Sequence, residues 1–381
     1  MYWQWEKLRS GAAWEVGGTF IEDKLPVNGL LSALMFHAYK GAVVDSMIAV
    51  QKWRMLDYIS KLEIIAAGSD DPFNLTGQCA HYVQWLKGGG AAPDKHHNYG
   101  SSTKRAHGAI LFGRYLYDPD YGLDLSRWKN VEPQFTNDAA AAQFTADWNL
   151  DLYALWLRDA PAGQFKGYVE TKEWRKITTV QAKTEYLQLP AQDRLRNLIL
   201  QISPAVDANF LAKTTPYTVA KELRLTKRSG QHKMFEGSLR DLWYVDYFQN
   251  GRDVFAPLES YHTDEKGIWT GLGQVIGEGG LRLMHGGSQS LVGTSISPGE
   301  DSSTQKRFAD TDPDQDALLL MGLGLENCAY YPFEVNWDPA EWLDLAQEAT
   351  VQLDVETEDD ANAASATVRV ILERVRSFPT G

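Results

Sequence analysis

The sequence predicts an all-β protein with minor helices, built as two tandem copies of one strand-rich domain. Three echoes along the chain predict it. LPVNGLLSALMFH (residues 25–37) returns 164 positions later as LPAQDRLRNLILQ (residues 189–201), setting Leu25 on Leu189, Pro26 on Pro190, Leu31 on Leu195 and Leu34 on Leu198. LEII (62–65) followed by LTGQCAHYVQW (75–85) matches LRLT (223–226) followed by FEGSLRDLWYV (235–245), with Gly77 on Gly237 at an offset of 160. Each half then closes on a strand, NLDLYALWLRD from Asn149 and TVRVILERVRS from Thr367. The period far exceeds the roughly 20–50 residues of solenoid and propeller repeats. Duplication of a whole domain explains it.

Length agrees, because 381 residues exceed the roughly 250–300 beyond which chains split into several cores. With 44% hydrophobic and 12% aromatic residues, 13 of them Trp, the chain has ample core material and is not a disordered one. A net charge of −13 repels polyphosphate over the surface as a whole, so no strong nucleic-acid binding is expected. Cys79 and Cys328 stand in apolar or small-residue contexts and read as buried, reduced thiols rather than a disulfide framework. No apolar run reaches the roughly 18 residues of a spanning helix. The opening residues lack the apolar stretch of a signal peptide, so synthesis in the cytoplasm is expected.

Taken in order, residues 1–18 read as an aromatic N-terminal arm in which Trp3, Trp5 and Leu8 alternate with Lys7 and Arg9. These three side chains suit contact with a lipid surface or a neighbouring subunit; packing against the arm's own domain is the other reading. Residues 19–160 form the first domain. APAG (160–163) is the linker, short enough that the domains must touch, and residues 164–377 form the second. Short apolar runs broken by Gly, Pro, Asn and Asp favour strands. Residues 30–38 and 195–202 are apolar almost throughout, as in strands buried on both faces, while 61–66 and 221–226 alternate. Helical spacing appears at 75–86 and 238–248, so each copy carries one short helix. After each helix comes an insertion, a long loop at 87–107 and a much longer one at 249–315, expected to emerge at the same end.

Chemical motifs are few. His96, His97 and His107 lack the spacing of a helical metal site. Asp312, Asp314 and Asp316 imitate the first ligands of a calcium loop and are the metal candidates, but Ala317 replaces the turn glycine and Leu323 the bidentate Glu. Gly271 and Gly273 open a dinucleotide-like run that Ile276 breaks. No GxSxG, P-loop or HExxH occurs. Neither a catalytic residue nor a cofactor is expected, and the chain reads as a non-enzyme, although paired carboxylates for glycoside chemistry can be seen only in three dimensions.

Phe112-Gly113-Arg114, then Tyr121 to Trp128 (YGLDLSRW), and Leu189-Pro190 leading into Arg194 to Leu200 sit in this twofold framework in a way that resembles a known family. It is the double jelly-roll major capsid proteins of tailless icosahedral viruses with an internal membrane, the tectivirus and adenovirus lineage, bacteriophages included. The resemblance covers about residues 20–377. It implies two tandem eight-stranded jelly-roll sandwiches, packed as facing sheets. It also implies a homotrimeric, pseudo-hexagonal capsomer, since two barrels repeated three times make a six-sided tile. Further implications are a virion location after synthesis in the host, contact with neighbouring capsomers, minor capsid or penton proteins and the internal membrane, and a role for 249–315 in the trimer contact or an outward tower. Two alternatives stay open: a jelly-roll carbohydrate-binding or carbohydrate-active protein, and a minor virion or spike protein.

Overall fold

The computed structural model describes the chain except for residues 23–24, 27, 41–54, 68–69, 89–95, 99–103, 129, 140–146, 162, 206–214, 251–253, 262–275, 286–292, 297–314, 335, 337, 349 and 379–381. The first copy runs β1 (Tyr2–Trp14), β2 (Thr19–Ile21), β3 (Leu30–Lys40), β4 (Ile59–Ala66), β5 (Asp70–Leu75), α1 (Gly77–Lys87), β6 (His96–Asn98), β7 (Lys104–Leu111), β8 (Leu123–Asp124), β9 (Val131–Asn137) and β10 (Trp148–Arg158). The second begins with β11 (Tyr168–Thr178), β12 (Thr184–Gln188), β13 (Arg194–Ser203), the single turn α2 (Pro216–Val219), β14 (Ala220–Lys227), β15 (His232–Gly237) and α3 (Leu239–Asn250). It continues through β16 (Val254–Tyr261), β17 (Ile276–His285), β18 (Gly293–Ile296), β19 (Gln315–Leu325), β20 (Cys328–Pro332), β21 (Leu343–Asp344), β22 (Val351–Thr357) and β23 (Thr367–Arg376).

The strand orders of the two copies are the same. In the first, β1-β10-β3-β7 faces β2-β9-β4-β5; in the second, β11-β23-β13-β20 faces β12-β22-β14-β15. Each copy thus has eight principal strands in two sheets around its own core, one centred on Trp14, Phe36, Phe135 and Trp148, the other on Leu198, Leu223, Trp243 and Leu353. Even the irregularities recur. Leu34 pairs with Ala154 as Leu198 pairs with Leu372, and each ladder passes over one residue nearby, Ser32 in β3 and Arg196 in β13. A second bulge passes over Leu8 in β1 and Trp174 in β11. Bulges re-aim side chains, and here both turn an apolar group onto the core of its own copy.

Three expectations need correction. Residues 1–18 are not a detached arm, because β1 is hydrogen-bonded along β10 from Tyr2↔Arg158 to Trp14↔Trp148 and is the first strand of its barrel. Its alternation with Lys and Arg is that of a strand with one face outward. The helices superpose two residues away from the Gly77-on-Gly237 alignment. Thr76 Oγ1 accepts the Cys79 N–H at 3.3 Å and Ser238 Oγ the Asp241 N–H at 3.3 Å, so the caps, 162 apart, set where each helix starts. Finally, the 249–315 insertion is not all loop, since it carries β16, β17 and β18. These join β19 and β6 in a separate sheet, order β18-β17-β19-β16-β6. There β6 from the first insertion pairs in parallel with β16 from the second, Leu258↔His96, so the two insertions do emerge together.

Candidate assembly surfaces

The two barrels are joined edge to edge. β5, the edge of one sheet, pairs in parallel with β11, the edge of another, through Thr171↔Phe73 and Lys172↔Asn74, making one continuous nine-stranded sheet. Lys172 Nζ forms an ion pair with Asp71, and the Tyr168 hydroxyl donates to Asp70 at 3.1 Å. Above this seam α1 packs on β4, β5 and β7 of its own barrel and reaches with its side chains to the second copy. The first core accordingly takes in Ile199, Cys328, Tyr330 and Ile371 from the second copy. α1 is buried almost all round; so is β13, which Cys79 reaches.

Several polar groups pair across this contact, as burial favours. His81 Nδ1 meets Glu326 Oε1 at 2.8 Å, Cys79 Sγ donates to Gln201 Oε1 at 3.2 Å, and Lys87 Nζ lies 2.7 Å from Glu373 Oε1. Glu373 also accepts from Thr171 Oγ1 at 3.1 Å and from Asn197 Nδ2 at 2.5 Å, with the Arg196 guanidinium at 3.4 Å. Burial pushes the Glu373 carboxyl up, but the Lys87 and Arg196 charges more than reverse this and hold it at about 2. Burial pulls Lys87 below its ordinary value despite Glu373. The two cysteines, one from each copy, meet here as well. The hydrogen bond with Cys328 pulls the Cys79 thiol below its ordinary value, and burial pushes Cys328 up.

No protein-family model matches this sequence, and no curated protein matches it. Solved structures do match over the whole chain. The major capsid protein (MCP) of STIV, the Sulfolobus turreted icosahedral virus, aligns with 10% identity and a TM-score of 0.60, covering 100% of this chain and 98% of its own. The major capsid protein P2 of bacteriophage PM2 aligns with 11% identity and a TM-score of 0.52, covering 100% of both chains. The PBCV-1 virus capsid chain aligns with 8% identity and a TM-score of 0.55, covering 98% of this chain and 93% of that one. The fold is the double jelly roll.

Within this double jelly roll the residues picked from sequence part company. Trp3, like Leu116, packs on the cluster of Ala33, Leu111 and Leu155, and lies edge-on to Tyr117 at 5.6 Å. Trp5 is 40% exposed and donates from Nε1 to the Tyr117 hydroxyl at 3.2 Å. Leu8, turned by its bulge, packs on the first core. Only Trp5 of the three presents a large exposed apolar side chain. Asp312 and Asp314 lie outside the described residues; Asp316 stands in β19, paired with Ser260 and His285. His107 stacks on His37 at 4.2 Å in the β3–β7 pair, whereas His96 and His97 pair with β16. The tryptophans are largely core, with Trp14, Trp85, Trp148, Trp156 and Trp243 fully buried, so they do not form a platform for the carbohydrate-binding alternative. Among the described residues no helix is long and apolar enough to cross a membrane, and no three metal-ligating side chains cluster.

Sequence reasoning missed the seam. Lys87 and Glu373 are single charges in different copies, and no spacing links them. One signal was available: Arg196 interrupts an otherwise apolar run of β13, and it reaches Glu334 and Glu373 inside the protein. Another repeat was also legible. Leu123-Asp124-Leu125 and Leu343-Asp344-Leu345 are identical triplets, and in each the Asp caps the turn that follows, Asp124 accepting from Ser126 N and Asp344 from Ala346 N at 3.1 Å.

Proposed function

We propose that the chain is a viral major capsid protein that assembles as a homotrimeric, pseudo-hexagonal capsomer and tiles an icosahedral shell around an internal membrane. The observation that carries this is the lateral seam. Each barrel has one edge of the β5 kind and one of the β11 kind, and the chain joins its two barrels through one of each. A heterologous contact of this kind, repeated, closes into a ring. Three chains supply six barrels, and six neighbours are what a near-hexagonal tile needs. The whole-chain alignments with coat proteins support the capsid role. The sheet built from both insertions suits a tower or a contact around the trimer axis, and the acidic chain suits a shell that does not grip naked genome. No reaction is assigned to it. Its partners are other copies of itself, with minor capsid or penton proteins and the membrane as further neighbours in the virion.

Native mass spectrometry and light scattering on the purified chain test this. A species of three times 42.7 kDa that resists dilution, and that tiles into closed shells or sheets by electron microscopy, is the expected result. A monomer at every concentration overturns it.

A further inference from the structure

We infer that Cys79 and Cys328 are a latent cross-link: on oxidation by a peroxide they close an intramolecular disulfide that staples the first copy to the second. The bond joins α1 to β20 within one chain, whatever that chain assembles into.

These are the chain's two cysteines, 249 positions apart, and both are free and buried. Duplication did not place them. Thr76 and Ser238 cap their helices, so Cys79 answers to Asp241 in the other copy. Gln201 pairs with Cys328 as His37 pairs with His107, so Cys328 answers to His107. Each thiol is therefore peculiar to its own copy, yet the two are hydrogen-bonded to each other inside one core. Cysteines that served only as small apolar side chains would not need to meet.

The surroundings fix both sulfurs and make them unequal. Cys328 is held on β20 by its pairing with Gln201 and by the Trp243 indole, whose Nε1 donates to its carbonyl at 2.7 Å. Cys79 stands in the first turn of α1, with its N–H bonded to Thr76 Oγ1 and its Sγ donating to Gln201 Oε1 at 3.2 Å. The same Oε1 accepts from Arg369 Nη1 at 3.0 Å. A helix N-terminus and a guanidinium both favour a thiolate. The hydrogen bond with Cys328 and, more weakly, the Arg369 charge hold the Cys79 thiol below its ordinary value, whereas burial raises Cys328. Cys79 is thus the attacking sulfur and Cys328 the resolving one. The Arg369 side chain is 17% exposed, so the attacking thiol lies one glutamine in from a group that reaches water.

The Cys79 thiolate attacks the peroxide O–O bond and takes one oxygen as sulfenic acid, with hydroxide leaving. The Cys328 sulfur then attacks Cys79 Sγ, and that oxygen departs as water with the Cys328 proton. Two thiols and one hydrogen peroxide become one disulfide and two waters. The bond closes a loop of about 250 residues, and long loops restrict the unfolded chain most. A reducing cytosol keeps such thiols open, and an oxidising exterior closes them.

The test treats the purified full chain with hydrogen peroxide until the exposed Met1 and Met35 are sulfoxides, then alkylates it in denaturant and maps its peptides by mass spectrometry. A peptide pair linked through Cys79 and Cys328 in the monomer band is expected, with dithiothreitol returning both thiols. The urea midpoint of the treated chain should stand about 0.5–1 M above that of the same sample after dithiothreitol. Cys328→Ser should give no linked peptide and no such difference. Two free thiols after both methionines have oxidised, sulfinic acid at either cysteine without a linked peptide, or a link found only between chains overturns the cross-link.

Discussion

Lys87 Nζ lies 2.7 Å from the Glu373 carboxylate with both side chains sealed from solvent, and the two residues belong to different copies of the duplicated fold. The pair sits where α1 reaches from one barrel to the other. A buried pair of this kind adds little over a well-packed apolar contact, but removing one partner strands the other charge.

Lys87→Met should therefore destabilise the chain by about 3–5 kcal/mol, with the loss read by urea denaturation. Combining it with Glu373→Gln should recover part of that loss. A double variant no more stable than Lys87→Met would show that the cost lies in packing rather than in the stranded carboxylate.

Acid should act through the same carboxylate. Glu373 is held at about 2 against an ordinary 4.5, so its contribution is fully present above pH 4.5 and is lost as the pH falls toward about 2. The gap in stability between wild type and Glu373→Gln should be constant from pH 7 to about 5 and close steadily below that. Denaturation curves at each pH measure it; a gap that stays open at low pH counts against the assignment.

Leu8 and Trp5 should respond in opposite ways. Leu8→Asp places a carboxylate against the first core and should cost about 2 kcal/mol or more, whereas Trp5→Ser, at an exposed site, should change monomer stability by about 0.5 kcal/mol or less and weaken assembly instead. Parallel denaturation and dilution series on the two variants separate the roles.

Gly324→Ala should be severe. Its φ is +71° and a Cβ there would lie 2.3 Å from Trp243 Cε2, in a ring whose Nε1 donates to the Cys328 carbonyl at 2.7 Å. Strain and overpacking together should cost about 2–5 kcal/mol. Gly230→Ala, with φ of +85° but open space around it, should cost only the backbone part, about 1–2 kcal/mol. Equal losses in the two variants would mean that Trp243 yields without penalty.

Much of the fold was legible because duplication leaves a long-range copy of local physics. The 164 offset between residues 25–37 and 189–201 is the register of β3 and β13, and the pairing of Asn149 with Thr367 is the register of β10 and β23. Apolar pattern and turn residues mark strands wherever they fall. The helices were found by spacing and mis-set by two residues, because a hydroxyl cap rather than a glycine starts them. β16, β17 and β18 were hidden in a glycine-rich run whose strand character depends on partners elsewhere in the chain.

By itself, then, the sequence determined the twofold plan, many of the barrel strands with their turns, and the acidic net charge, since each follows from propensity, periodicity or composition. Tertiary structure alone decided which faces are covered. β3 and β13 are both apolar runs, yet Ile199 of β13 is buried in the first core and Gln201 bonds to Cys79 of α1, while Met35 of β3 reaches solvent. Burial is a property of what packs against a strand, and the strand's own residues do not encode their neighbour.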